Sequence, residues 1–196
     1  TAMTLLPKLL PVYDQILRRL VKAGVKWVQI DEPYLAMDLT DAQKGAYLVT
    51  YSAIKAVAEE MNIIVTTYFE GLRDNTELAC GLPVDALHVD LRRAPDQLDD
   101  VLNAIKDEKA LSLGVVDGRN IWKNDLRKSL SIINTAVEKL GTDRVMIAPS
   151  CSLLHSPVDL AQEVKMDEQI KSWMAFATQK VTEIAILAKG TNNGEG

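Results

Sequence analysis

The stretch DALHVDLRRAPDQLDDVLNAIKDEKALSLGVVDGRN, residues 85–120, contains two short apolar segments separated by an amphipathic one. The apolar segments at 85–91 and 110–116 predict buried strands, and the segment 95–107 between them predicts a helix. Two parallel strands need a crossover connection, which is usually a helix. This stretch therefore predicts a strand–helix–strand unit whose two strands are parallel.

The same alternation of apolar and amphipathic segments extends along the rest of the chain. No G-x-G-x-x-G or G-x-x-x-x-G-K-[ST] motif is present, so the two commonest nucleotide-binding fingerprints are absent. A complete (β/α)8 TIM barrel needs eight strands and about 250 residues. We therefore predict an α/β fold, namely a partial TIM barrel of about five βα units with parallel strands. The other strands are predicted at 25–30, 63–69 and 144–149, and the other helices at 5–24, 41–61, 75–82, 125–141 and 167–189.

Residues 1–196 are predicted to belong to one barrel, since no linker-like change of composition divides the chain. The polar, glycine-rich segment 190–196 is predicted to be a disordered tail.

The formal net charge of −5 argues against non-specific binding to nucleic acid or to an anionic membrane, because both need a basic surface. No apolar stretch approaches the roughly 20 residues that cross a bilayer, and no secretory signal is visible. Two cysteines make no disulfide framework, so we expect a cytoplasmic location.

Polar residues follow the predicted strands at their carboxyl ends, where barrels and doubly wound sheets place their sites. Asp31 and Glu32 come directly after the strand at 25–30. Two carboxylates in this position are able to orient a polar substrate or to bind its cation. The alternative is that one of them caps the next loop and the other is solvated.

Asp90 ends the strand at 85–91 and is followed by Arg92 and Arg93. This group is able to hold an anion, but a surface ion pair is the favoured interpretation. His88 lies two residues before Asp90, so both side chains point to the same face of the strand. If that face looks into the interior of a barrel, the pair is able to form part of a site. Otherwise His88 is a hydrogen-bonded imidazole of the core, which is the favoured interpretation.

The next strand is followed by a turn signal that contains Asp117, Gly118, Arg119 and Asn120. Gly118 supplies a permissive backbone, while the side chains of Asp117 and Asn120 are suited to bond local amides. The guanidinium of Arg119 is suited to bidentate binding of a carboxylate or a phosphate.

Ser150, Cys151, Ser152 and His155 follow the last predicted strand. Three roles are open to Cys151: a zinc ligand, a nucleophile or a small buried residue. A nucleophilic cysteine needs an oriented base, and a catalytic zinc ion usually has about three protein ligands. Because the chain contains two histidines in total, the buried residue is the favoured interpretation.

Three segments, in this order and at these separations, resemble the cobalamin-independent methionine synthase family. They are WVQIDEP at 27–33, GVVDGRNIWKNDL at 114–126 and APSCSLLHSPVDL at 148–160. The resemblance covers nearly the whole chain, and it is to the second half of the N-terminal barrel of that family.

Members of that family move a methyl group from a 5-methyltetrahydrofolate polyglutamate to homocysteine and so form methionine. The resemblance implies two face-to-face barrels, with the zinc ion in the C-terminal one. This chain would then have no catalytic residue, metal or cofactor of its own, and it would wall the cleft between the barrels. The implied partners are the two substrates, the missing barrel strands and the C-terminal barrel. The candidates for lining the cleft are Asp31, Glu32, Asp90, Asp117, Arg119, Asn120, Ser150, Cys151, Ser152 and His155.

The resemblance also implies an evolutionary origin for Cys151. This residue stands where the catalytic barrel keeps a zinc ligand, whereas the strand segment 65–71 contains neither His nor Cys. Cys151 would therefore be a vestige. Two other functions stay open: a stand-alone module that binds a small anion, and a barrel hydrolase that uses Asp31 and Glu32.

Overall fold

The computed structural model describes residues 2–193, with the side chains of 3–192, and it contains one parallel five-stranded sheet. The strands lie side by side in chain order, and every neighbouring pair is parallel. This confirms the predicted α/β fold. The strands are β1 (Trp27–Asp31), β2 (Asn62–Thr66), β3 (Ala86–Asp90), β4 (Ala110–Val116) and β5 (Val145–Pro149).

Helices connect the strands and cover one face of the sheet. Local signals set several of their ends: Thr40 and Gln43 form a capping box at the start of α2, and the Asp125 side chain caps α5. Gly141 follows α5 with a φ of 83°, a conformation that glycine adopts without strain. The helices are α1 (Leu6–Lys22), α2 (Asp41–Val57), α3 (Thr76–Gly81), α4 (Leu98–Ala104), α5 (Leu126–Leu140), α6 (Glu168–Lys171) and α7 (Ala177–Asn193).

The two faces of the sheet differ in chemistry. Leu87 and Val89 of β3 belong to the apolar core, which lies between the sheet and the helices. The alternate residues, His88 and Asp90, therefore face the other side, which is the interior of a barrel. His88 is in register with Thr66 on β2. The inner face thus carries a row of polar side chains that leads to the carboxyl ends of the strands.

The sheet is open in the part of the chain that the structure describes. β1 and β5 each pair with a single neighbour and not with each other. At the β1 side, helix α1 buries only Leu17 and leaves Leu9, Val12 and Ile16 about half exposed. The described residues therefore form an arc of a barrel, with an uncovered apolar flank on the α1 side.

The last predicted helix is interrupted, so the prediction of one helix over 167–189 is wrong. Helix α6 ends at Lys171, and the chain resumes helical structure only at Ala177. Between them, Met174 pairs with Trp122 in an isolated antiparallel bridge and is buried together with Phe176. Pairing and burial against a distant loop outweigh the local helix preference of this segment.

The predicted tail is partly helical. Helix α7 continues to Asn193, so the structure describes residues 190–193 as helical. The rest of that prediction, at 194–196, falls outside the described residues. None of the described helices is both long enough and apolar enough to cross a membrane.

Candidate functional site

Phe69 lies at the carboxyl-end edge of the sheet, in the loop that follows β2. The strand ends at Thr66, three residues earlier than the predicted limit of 69. Phe69 has a φ of 77°, which is uncommon for any residue other than glycine. Its backbone N–H donates to Asp90 Oδ2 at 3.1 Å. A carboxylate at the end of the next strand therefore holds Phe69 in a strained conformation.

Asp90 organises this edge of the sheet through backbone amides and not through an ion pair. Its Oδ1 accepts the N–H groups of Arg92 and Arg93, each at 2.9 Å, in addition to the bond from Phe69. Asp90 is 1% exposed and forms no salt bridge with either arginine. The predicted surface ion pair is therefore wrong. The tight turn after β3 places backbone N–H groups within hydrogen-bond distance of the carboxylate, so these groups, and not the guanidinium groups, satisfy it.

Side chains from three loops converge on the ring of Phe69. The guanidinium carbon of Arg119, after β4, lies 4.8 Å from the ring centroid. The ring of His155, after β5, packs edge-on with centroids 5.7 Å apart, and that of Tyr68 packs edge-on at 4.6 Å. We call these four residues the Phe69 cluster. Its cation–π and edge-to-face geometries are the favoured ones for such groups.

Two polar groups of the Phe69 cluster have no protein partner. The guanidinium of Arg119 and the imidazole of His155 make no hydrogen bond or ion pair with any residue that the structure describes. Both side chains are exposed. Their N–H groups are therefore available to an anionic or hydrogen-bond-accepting ligand at this face.

Asp31 and Glu32 point to opposite sides of the sheet. The carboxylate of Asp31 accepts from the Tyr68 hydroxyl at 3.2 Å, so it adjoins the Phe69 cluster. The carboxylate of Glu32 lies instead against α2, where it accepts from Tyr47 at 3.0 Å and from Tyr51 at 2.7 Å. Burial and this carboxylate raise the pKa of both tyrosines. The two acids therefore do not meet at one point, as a hydrolase that uses both would require.

The loop after β4, residues 117–123, is held closely against the loop after β5. Asp117 Oδ1 accepts the N–H of Arg119 at 2.8 Å, and the N–H of Gly118 donates to Ser150 Oγ at 3.2 Å. A Cβ atom on Gly118 would lie 2.8 Å from the carbonyl oxygen of Cys151. Only glycine allows this approach without movement of the backbone. These contacts fix the base of the loop from which Arg119 projects.

Lys180 of α7 also holds the loop at 117–123, through two hydrogen bonds. Its Nζ donates to Asn120 Oδ1 and to the Trp122 carbonyl oxygen, each at 3.0 Å. Burial lowers the pKa of Lys180, which is 1% exposed. Sequence reasoning missed this residue, because one lysine on an amphipathic helix resembles any solvated lysine.

Comparison with known proteins places the chain in a family. Residues 1–141 match the family model described as cobalamin-independent synthase, N-terminal domain. The chain belongs to this family of methionine synthases.

Curated relatives of this methionine synthase chain are much longer than the chain itself. A Coxiella burnetii protein is 52% identical over 190 residues, which are 97% of this chain and 24% of the relative. A Caulobacter vibrioides protein is 48% identical over 192 residues, or 98% of this chain and 25% of the relative. Both are named 5-methyltetrahydropteroyltriglutamate–homocysteine methyltransferase. The chain spans about a quarter of the length of these relatives.

Solved structures of methionine synthases share the fold. A Listeria monocytogenes protein described as a vitamin-B12-independent methionine synthase matches with a TM-score of 0.63 and 15% identity, over 97% of this chain and 56% of that one. A B12-independent methionine synthase from Shewanella sp. W3-18-1 matches with a TM-score of 0.57 and 13% identity, over 92% and 53% of the two chains. At such identities the likeness supports the fold alone, and it agrees with the predicted partial TIM barrel.

The zinc ion that the methionine synthase resemblance implies does not fit the described residues of this chain. They contain no group of three or more His, Cys, Asp or Glu side chains that could hold a metal. Cys151 is buried, its Sγ points to the Ser152 carbonyl oxygen at 3.8 Å, and His155 packs on Phe69 instead of on the thiol. Burial raises the pKa of the Cys151 thiol. Such a thiol is a weak nucleophile and a weak metal ligand.

His88 is buried and hydrogen-bonded, as predicted, but it lies on the barrel-interior face of the sheet and not in the apolar core. It is buried, and its Nδ1 lies 2.9 Å from Ser112 Oγ while its Nε2 lies 3.3 Å from the Ser150 carbonyl oxygen. A carbonyl oxygen only accepts, so Nε2 carries the proton and Nδ1 accepts from the serine. Burial lowers the pKa of His88, which keeps it neutral at pH 7.

The structure sorts the ten predicted site residues into three groups. Asp31, Asp90, Arg119 and His155 contact the Tyr68–Phe69 pair, whereas Asp117, Asn120, Ser150 and Cys151 fix the loops beneath it. Glu32 and Ser152 lie outside both groups, since Glu32 turns to α2 and Ser152 caps the short turn that contains Leu154. Sequence reasoning missed Tyr68 and Phe69. The available signal was an aromatic pair directly after a strand, in a position where a fold of this class places its sites.

Proposed function

We propose that this chain is the C-terminal part of the N-terminal barrel of a cobalamin-independent methionine synthase, and that it forms one wall of the cleft in which substrate binds. The reaction of that enzyme transfers a methyl group from 5-methyltetrahydropteroyltriglutamate to homocysteine. Family membership supports the reaction. The observation that carries the proposed role of this chain is the convergence of Arg119 and His155 on Phe69, with both side chains exposed.

The Phe69 cluster is suited to hold an anionic part of the folate substrate. Its triglutamate portion carries carboxylates, and a guanidinium binds a carboxylate through two parallel hydrogen bonds. The guanidinium carbon of Arg119 lies over the ring of Phe69, and this cation–π contact restricts the movement of the side chain. Arg119 therefore needs to lose little conformational freedom on binding, which strengthens the contact. His155 adds a second donor beside it.

The chain itself supplies no nucleophile in this proposal. Cys151 is a buried thiol without a base, and Asp31 and Glu32 lie on opposite sides of the sheet. Zinc and the groups that activate homocysteine would then belong to the second barrel, and the whole enzyme would act in the cytoplasm. This chain would bind, orient and shield the folate.

Exposed apolar side chains on the same face support contact with a second barrel. Leu154 is 88% exposed and Val158 is 78% exposed, both in the segment after β5, and Trp122 in the β4 loop and Trp173 before α7 are half exposed. An exposed apolar patch near a site is typical of a surface that another domain covers. The proposed occupant is the C-terminal barrel of the same enzyme.

The first prediction tests the proposed role of Arg119. The test protein is a chimaera in which this chain replaces the matching quarter of the Coxiella burnetii relative. Arg119→Ala should raise the KM for 5-methyltetrahydropteroyltriglutamate about tenfold, because a charge-assisted hydrogen bond contributes about 1.5–3 kcal/mol and tenfold corresponds to about 1.4 kcal/mol. The measurement is steady-state kinetics of methionine formation, with the KM for homocysteine recorded in parallel.

Arg127→Ala is the matched control, since Arg127 is an exposed arginine of α5 that lies outside the Phe69 cluster. It should leave both constants unchanged. Unchanged folate kinetics in Arg119→Ala, in an active chimaera, would remove the Phe69 cluster from the substrate site.

A small-anion-binding module is the second candidate function, and the unpartnered Arg119 and His155 are the observation that favours it. In that case this chain alone should bind inorganic phosphate or glutarate, and Arg119→Ala should abolish the binding. Isothermal titration calorimetry of the chain separates the two functions, because the cleft wall of a two-barrel enzyme needs the second barrel to bind with full affinity.

A further inference from the structure

The loop that carries Arg119 rests on a buried ammonium group. Lys180 stands on α7, sixty residues beyond Asn120, and its Nζ donates to Asn120 Oδ1 and to the Trp122 carbonyl oxygen. Burying an ammonium is costly unless its protons are hydrogen-bonded. An apolar residue would pack at this position without that cost. The need to fill space therefore does not explain a lysine here, whereas its two hydrogen bonds to the loop do.

Both acceptors of the Lys180 ammonium belong to the loop at 117–123. Asn120 Oδ1 also accepts the N–H of Trp122 at 3.1 Å, so one amide oxygen joins the turn and the helix. Ser156 Oγ donates to the carbonyl oxygens of Gly118 at 3.2 Å and Asn120 at 3.1 Å. Loss of the ammonium would leave Asn120 without its contact to α7, while the contacts to the β5 loop persist.

Charged groups from three elements face the Lys180 ammonium. Glu183 on α7 and Asp117 in the loop favour its charged form, whereas Arg92 after β3 opposes it. Glu183 Oε1 accepts the N–H of Asn124, the residue directly after the same loop, at 2.9 Å. The second half of the loop and the residue that follows it thus connect to one turn of α7.

We propose that Lys180 is a positioning residue that fastens the 117–123 loop to α7 and thereby sets the placement of Arg119 over Phe69. The proposal rests on the proposed function of Arg119 as the anion contact. Arg119 is one residue from Asn120, so a shift of the turn moves the guanidinium relative to the ring. Lys180 contacts no substrate in this arrangement and acts only through the loop.

Amide hydrogen exchange of this chain tests the contact directly. Lys180→Met keeps the length of the side chain but removes its donors. Exchange of the Trp122 amide should accelerate about fivefold, the factor that corresponds to one lost hydrogen bond, while amides of β3 should keep their rates. Lys189→Met, an exposed lysine on the same helix, should change neither. Equal acceleration throughout the sheet, or none in the loop, would overturn the proposal.

A second variant removes the acceptor instead of the donor. Asn120→Ala leaves Lys180 in place with the Trp122 carbonyl oxygen as its remaining partner. Because it also removes the acceptor of the Trp122 N–H, the informative amide in this variant is that of Arg119, whose acceptor Asp117 stays in place. Exchange of the Arg119 amide should accelerate, so the test stands even where Lys180→Met folds poorly. Unchanged exchange of the Arg119 amide in Asn120→Ala would contradict the proposal.

Kinetics in the Coxiella burnetii chimaera separate positioning from general stability. Lys180→Met should raise the folate KM less than Arg119→Ala does, and it should leave the KM for homocysteine unchanged. The double variant should be no worse than Arg119→Ala alone, because Lys180 acts through Arg119. Effects that multiply would overturn the positioning role. Where Arg119→Ala itself has no effect, the proposed function fails, while the exchange experiment still reports on the loop.

Discussion

At the residue scale, one buried carboxylate organises the candidate site. Asp90 accepts three backbone N–H groups, and one of them holds Phe69 at its positive φ. The ring on which Arg119 and His155 pack is therefore placed by a residue that itself forms no hydrogen bond or ion pair with either of them. This division between a contact group and the group that orients it is typical of preorganised sites.

The second prediction concerns Asp90. In Asp90→Asn, the amide oxygen can keep the N–H groups of Arg92 and Arg93, but an NH2 group then faces the N–H of Phe69. Two donors in a buried place repel, so we expect a loss of about 1–3 kcal/mol in the free energy of unfolding. Urea denaturation measures it. Asp107→Asn, at an exposed carboxylate with no hydrogen bond from its side chain, should change stability by less than about 0.5 kcal/mol.

The third prediction concerns pH and Lys109, which is 2% exposed and donates to the Leu82 carbonyl oxygen. Burial lowers the pKa of Lys109 from its usual 10.5 to about 8. Between these values the unfolded chain holds a proton that the folded chain has released. The free energy of unfolding should therefore rise with pH in this window, relative to a Lys109→Met variant.

Urea denaturation of both proteins at several pH values between about 7.5 and 10 measures the Lys109 effect. The raised pKa of buried Cys80 lowers stability in the same window, and the charge of Lys109 acts on that thiol, so both proteins carry Cys80→Ala in this comparison. A difference that stays flat across the window would show that Lys109 keeps its usual pKa.

At the element scale, close packing between strands and loops depends on glycine. A Cβ atom on Gly114 of β4 would lie 2.8 Å from the Cα of Ser150 and 2.8 Å from the Val89 carbonyl oxygen. Both are backbone atoms, so no side chain can rotate away. β4 and β5 also shift register between Gly114 and Val116. The start of the β5 loop thus lies over β4 because β4 has no side chain there.

The fourth prediction follows from this contact. Gly114→Ala should lower the free energy of unfolding by about 1–3 kcal/mol, since overpacking a buried site costs this much. Gly45→Ala is the opposite case, because Gly45 lies inside α2 and a Cβ there meets nothing within 4 Å. It should raise stability by about 0.5–1 kcal/mol, the helix preference of alanine over glycine. Thermal or urea denaturation compares the two.

The interrupted last helix shows the limit of local patterns at this scale. Residues 167–189 have a helical period, and both ends of that segment are helical. The break between them comes from the pairing of Met174 with Trp122 and from the burial of Phe176. No pattern within the segment predicts that pairing, since the partner lies about fifty residues earlier in the chain.

At the scale of the whole molecule, the open arc leaves two unpaired strand edges among the described residues, those of β1 and β5. Beside β1, the apolar side chains of α1 face solvent. Unpaired edges next to apolar surface favour association with another chain or segment. The relatives, which are about four times longer, supply further chain that would cover such a flank.

The fifth prediction is that this chain associates with itself in solution. Sedimentation velocity should show a weight-average mass that rises with protein concentration. Leu9→Glu combined with Val12→Lys places charges on the exposed face of α1 and should shift the distribution towards monomer. Val181→Glu, at an exposed apolar residue of α7, is the control and should not. A monodisperse monomer at all concentrations would contradict the prediction.

The sequence by itself determined the order of strands and helices, because apolar periodicity is a property of neighbouring residues. It also placed Asp31, Asp90, Arg119 and His155 at one edge, since the carboxyl ends of parallel strands meet there. Only the tertiary structure decided what these groups do. Asp90 binds amides and not arginines, Glu32 turns to two tyrosines of α2, and Lys180 supports a loop sixty residues away. A hydrogen bond forms only within about 3 Å, and segments far apart in the sequence reach that distance only when the chain has folded.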